Sequence, residues 1–138
     1  MAKNFLSIIP FVFLLFYSCG NNVSNTRIPL STKSIEVSNL YHEAIALNNI
    51  YKNSEAKEKL LEAIKIDSNF AAGYLLLSTF NSNSVSETDK YYEKALGLEE
   101  KMNDVERCFL DIRSSYRSND IDKGVKASER LIVLIPKN

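Results

Sequence analysis

The chain has 138 residues, 17 basic and 17 acidic side chains and a single histidine, so its formal charge is zero. That balance supplies no global field for nucleic acid or an anionic surface, which excludes binding driven by bulk charge. Tryptophan is absent, glycine and proline number only four and three, and the charges are interspersed. Few breakers and mixed charge favour an all-helical body with a solvated surface.

Lys3 is followed by an almost wholly apolar run over 5–17 (FLSIIPFVFLLFY) and then by Ser18-Cys19-Gly20. A charged start, a short apolar stretch and a small residue before the cut form the pattern of an export signal. The run is too short for a membrane-spanning helix, which needs about 20 residues, and Pro10 interrupts it. The cysteine at the expected cut resembles a bacterial lipobox. The resemblance implies cleavage after residue 18, lipidation of Cys19 and anchorage to a membrane on its periplasmic or extracellular side. Residues 19–34 are rich in Asn, Ser and Thr with little to bury, and are expected to form a flexible tether.

From residue 35 onward apolar residues recur at helical spacing in six segments. The first, 35–47, carries Val37, Leu40, Tyr41, Ala44 and Leu47 on one face. The second, 54–66, has Asn53 or Ser54 as cap and Ala56, Leu60, Ala63 and Ile64 as its stripe. The third, 70–80, carries Tyr74, Leu77 and Phe80. The fourth is expected to start at a capping box, Ser86-x-x-Asp89, and to bury Tyr92, Ala95 and Leu96. The fifth opens with an Asn103-x-x-Glu106 box and places Val105, Phe109, Ile112 and Tyr116 on one stripe, read as core. The sixth starts near Asp120, carries Val125, Leu131, Ile132 and Ile135, and stops at Pro136. Cys108, beside Phe109, reads as a small buried hydrophobe.

The second, fourth and sixth segments end alike: Glu62-Ala-Ile-Lys-Ile-Asp-Ser68, Glu93-Lys-Ala-Leu-Gly-Leu-Glu99 and Arg130-Leu-Ile-Val-Leu-Ile-Pro136. Small residues Ala56 and Gly124 stand early in the second and sixth, where paired helices cross closely. These features resemble the tetratricopeptide repeat, a helix–turn–helix unit of about 34 residues. Val37 and Val105, Tyr41 and Phe109, Ala56 and Gly124, and Ile64 and Ile132 all lie 68 residues apart, twice that period. The middle unit departs, Ala63 to Ala95 spanning 32 residues. The resemblance implies an all-α fold, a right-handed superhelical stack of three helical hairpins over about 35–68, 69–102 and 103–138.

The sequence offers no Cys or His pair at metal-ligand spacing and no Gly-rich phosphate loop. Neither an enzyme nor a cofactor is expected. The family resemblance implies a protein-interaction scaffold whose concave side, lined by the first helix of each hairpin, receives a peptide or partner protein. On this register the concave residues are His42, Ile45 and Ala46, then Leu75, Thr79 and Ser82, then Glu106, Leu110, Arg113 and Arg117. Leu75 and Leu110 serve equally as core, and Arg113 with Arg117 reads either as a carboxylate clamp or as a solvated basic edge. The rival readings are an accessory or truncated subunit of an envelope machine and a purely structural oligomer. The last helix is apolar around much of its circumference, which suits association, including self-association.

Overall fold

The computed structural model describes residues 27–80 and 83–135. The expected signal, Cys19, the first half of the tether, Ser82 and Pro136 lie outside them. Among the described residues six α-helices follow one another: α1 (Ile35–Asn49), α2 (Asn53–Ile66), α3 (Ala71–Leu77), α4 (Val85–Leu96), α5 (Asp104–Ser118) and α6 (Ile121–Leu134), with a 3₁₀ turn over Glu99–Lys101. No strand occurs among the described residues. The fold is all-α. The helices pair as α1 with α2, α3 with α4 and α5 with α6, and α3 connects the pairs by packing on both α2 and α5.

Each helix start has a local cause. Ser34 Oγ accepts from the Val37 N–H at the head of α1, leaving one fewer orphan donor in the first turn. The α4 box falls two residues earlier than the sequence suggests. Ser84, not Ser86, is the cap, accepting from the Glu87 N–H at 3.2 Å while Glu87 Oε2 accepts from the Ser84 N–H at 3.0 Å. A box needs a side chain that reaches back over a full turn, and glutamate at position 87 reaches farther than aspartate at 89. The Asn103–Glu106 box at α5 forms as read. The cap of α2 is Lys52, with no side-chain bond, rather than Asn53 or Ser54.

Helix ends carry the repeat. Among the described residues, Tyr51 and Asn119 are the non-glycine residues of positive φ, at 63° and 54°. Behind each, a backbone bond closes the helix end: Lys52 N–H to the Leu47 carbonyl at 3.0 Å, and Asp120 N–H to the Ser115 carbonyl at 2.9 Å. These are the wide hydrogen bonds of a left-handed helix stop, and both members of both pairs lie 68 residues apart. The bounds of α2 and α6 keep the same spacing. Helix α3 is shorter than expected because Ser78 Oγ and Thr79 Oγ1 turn back to the Leu75 and Leu76 carbonyls, both at 2.7 Å. Such side-chain bonds compete with helix continuation.

The apolar core has two parts. One gathers Val37, Leu40, Ala44, Ala56, Leu60 and Ala63 of the first pair around Phe70, whose ring meets Tyr41 edge-on at 5.4 Å. The other joins Leu75, Tyr92, Ala95, Leu98 and Met102 to Leu110 of α5. Leu96 is exposed and Leu98 takes the expected buried place. Close crossings sit at small residues: a Cβ added to Gly124 would stand 2.6 Å from Ser115 Oγ, and one added to Gly73 would stand 2.9 Å from Ile64 Cγ2. Ala56 is fully buried.

Candidate functional site

The first helices of the three pairs face a common apolar cavity of about 380 Å³. Helix α1 contributes Tyr41 and Ile45, α3 contributes Leu75 and Leu76 with Thr79 just beyond it, and α5 contributes Phe109, Ile112, Arg113 and Tyr116. Of the residues expected to face a partner, Ile45, Leu75, Thr79 and Arg113 line this cavity together. Leu75 is also core, since it packs against the second apolar cluster while showing one edge to the cavity. Leu110 is buried core and does not line the cavity.

Ile112 and Tyr116 are a correction. Read with Val105 and Phe109 as the core stripe of α5, they turn to the cavity, and Tyr116 is 77% exposed. Phe109 also lines the cavity but packs against the second apolar cluster, as expected of a core residue. The buried residues of α5 are Val105, Glu106, Cys108, Leu110 and Ser115.

Glu106 is a second correction. It is 1% exposed and is not offered on the groove surface. Its Oε2 accepts from the Asn103 N–H at 2.9 Å, and its Oε1 accepts from the backbone N–H and hydroxyl of Ser31 at 3.0 and 3.1 Å. A buried carboxylate requires such donors. Burial first, and then the Glu106 charge, push the Tyr41 hydroxyl well above the usual tyrosine range, so it stays protonated.

The two arginines do not form a free clamp. Arg113 Nη2 donates to the Ser78 carbonyl at 2.6 Å. Arg117 lies over the Tyr92 ring at 4.4 Å and donates to Asp89 at 2.8 Å. Both cations are held by groups of the middle pair, which ties α5 to it. His42 stands beside the cavity rather than on its wall, half-buried and edge-on to Tyr41 at 5.9 Å. Burial, and next the Arg27 charge, lower its pKa.

Residues 27–34, expected to be tether, are fastened to the helical body. Arg27 donates to Asn39 at 2.8 Å, Asn103 Nδ2 donates to the Pro29 carbonyl at 3.1 Å, and Thr32 donates to Asp67 at 3.1 Å. Leu30 packs on the first core and Ile28 joins the cavity wall. Sequence reasoning missed Ile28 and Leu30. Their one signal was a pair of aliphatic residues flanking Pro29 in an otherwise polar stretch.

Compared with known family models, curated proteins and solved structures, the chain matches none. Among the described residues, no helix is long and apolar enough to cross a membrane.

A second hollow, of about 430 Å³, lies between α5 and α6. Small residues Ser115, Gly124 and Ser128 line it with Ile121, Val125 and Ile132. Ile132 is 65% exposed, and Val133, on another side of α6, is 83% exposed. The counterpart of Ile132 in the first pair, Ile64, is packed against the core beside Gly73.

Proposed function

We propose that this chain is a membrane-anchored interaction scaffold of the tetratricopeptide type, its hairpins stacked in a right-handed superhelix, that binds a peptide or partner protein outside the cytoplasm. One observation carries the reading: an apolar cavity lined by the first helix of every pair, on the side the repeat resemblance assigns to a partner. A concave apolar site with a few polar edges is the usual form of a docking groove. The Lys3, apolar run and Ser18-Cys19 arrangement supports export and lipidation. Two or more acyl chains anchor stably where one does not, so the mature protein pellets with membranes, and Cys19→Ser releases it or blocks its processing.

The docking claim is tested by co-purification from solubilised membranes with mass-spectrometric identification. A stoichiometric partner recovered with wild type and lost with Tyr116→Glu supports the groove. Tyr116 is exposed, so this change leaves the fold intact. Identical recovery from both proteins contradicts it.

A second contact, self-association through α6, is favoured by the exposed Ile121, Val125, Ile132 and Val133. Light scattering tests it: wild type runs as an oligomer and Val133→Lys shifts it toward monomer. A wild-type monomer refutes it.

A further inference from the structure

A segment of the chain's own, residues 27–34, lies against the helical body at one edge of the groove, where Ile28 joins the wall. Residues 27–34 form no helix or strand. They bridge three separate parts of the body: α1 through Asn39, the turn after α2 through Asp67, and the start of α5 through Asn103 and Glu106.

Two kinds of contact hold the segment. The first reads the main chain. Asn103 Nδ2 donates to the Pro29 carbonyl, and Glu106 Oε1 accepts from the Ser31 N–H. A donor side chain at the cap of α5 and an acceptor three residues farther on therefore grip a carbonyl and an N–H two residues apart on the segment. Pro29 suits the first of these places, since only its carbonyl is used and it has no N–H to leave unsatisfied. The second kind reads side chains. Ile28 and Leu30, alternate residues, enter the cavity wall and the first core, while the hydroxyls of Ser31 and Thr32 donate to the Glu106 and Asp67 carboxylates at 3.1 Å each.

Glu106 explains why the place cannot stand empty without cost. Its carboxylate is buried, and both donors to Oε1 come from Ser31. A buried carboxylate oxygen stripped of donors is strongly unfavourable, so whatever displaces Ser31 must bring an N–H or hydroxyl of its own. The cavity beside Ile28 leaves room for a larger apolar side chain on the incoming segment.

We infer that residues 27–32 are a built-in occupant of the groove, and that the partner it takes is an extended protein segment of the same chemistry, an aliphatic residue, proline, a second aliphatic residue and serine, which displaces them. This rests on the groove being the docking surface. A tethered occupant competes at an effective concentration in the millimolar range, so it lowers the apparent affinity for the incoming segment by the fraction of time it is bound.

The probe is a fluorescein-labelled synthetic peptide of residues 27–34, titrated by polarisation against the full solubilised chain. Two variants dislodge the resident segment: Ser31→Pro removes the N–H given to Glu106, and Ile28→Asp expels the apolar anchor. Both positions are in irregular chain outside the helices, and circular dichroism verifies that the helices remain. The peptide is expected to bind each variant at least about tenfold more tightly than wild type, and a peptide carrying its own Ile28→Asp is expected to bind neither. Equal binding to wild type and variants, or no binding to a folded variant, would mean that the segment is a fixed part of the fold, which overturns the inference. Failure here with Tyr116-dependent partner capture intact leaves the docking reading standing. Loss of that capture test refutes the reading itself.

Discussion

Ser31 gives both its backbone N–H and its hydroxyl to one oxygen of Glu106, 75 residues farther along the chain. The other oxygen closes the capping box with Asn103. One buried carboxylate thus starts α5 and seats the segment before α1. Glu106→Ala loses the cap, worth about 1 kcal/mol, and charge-assisted bonds worth about 1.5–3 kcal/mol. The expected loss is about 2.5–4 kcal/mol, read as a lower urea midpoint at unchanged slope. A loss below about 0.5 kcal/mol, typical of an exposed site, would show that the carboxylate is not held as described.

The crossing of α5 and α6 gives a sharper test through two residues. Gly124 presses against Ser115, whose hydroxyl is tied to the Ile112 carbonyl at 2.7 Å. In an open helix Gly→Ala stabilises by about 1 kcal/mol. Here overpacking of about 1–3 kcal/mol opposes that gain, so Gly124→Ala is expected to cost about 1 kcal/mol net. In a Ser115→Ala background the collision with Oγ is gone and the same change should be neutral or stabilising. Additive effects across this cycle would place the helices farther apart. At the matching position of the first pair, Ala56→Leu should lower the melting temperature clearly and Lys57→Leu much less.

His42 is the sole histidine in the chain, so its imidazole proton resonance needs no assignment. Burial, then Arg27, lowers its pKa from the ordinary value of 6.5. The folded state therefore favours the neutral ring. Its contribution to stability is full above about pH 6.5 and is lost as pH falls below that value toward the folded pKa. Arg27→Ala should raise the titration midpoint slightly, because burial is the larger cause. Ser31→Pro, which frees the whole segment, should raise it further toward about 6.5. Midpoints that stay at the wild-type value in both variants would contradict the placement of Arg27 beside α1.

The helices were legible because 3.6-residue periodicity survives in a single sequence, and the two left-handed stops at Tyr51 and Asn119 show why the 68-residue phase appeared in the pattern. Which face of α5 is core was not legible. Val105, Phe109, Ile112 and Tyr116 share one stripe, yet Val105 is buried near the start of the helix and Tyr116 is exposed near its end, and periodicity states only that residues share a face. Glu106 was readable from its box spacing, since a carboxylate reaching back to Asn103 is committed to the cap. The seating of residues 27–34 was hidden for a different reason. Its bonds use main-chain atoms and partners 35 to 75 residues away, and local composition registers neither.

The central claim, that the cavity between α1, α3 and α5 is where a partner docks, is tested most directly by photo-cross-linking in intact cells. A photoactivatable phenylalanine analogue replaces Tyr116, on the cavity wall, or Ile66, exposed near the end of α2 and away from it. One discrete adduct is expected from position 116 and none from position 66. Equal adducts from both positions, or an adduct from position 66 alone, would contradict it.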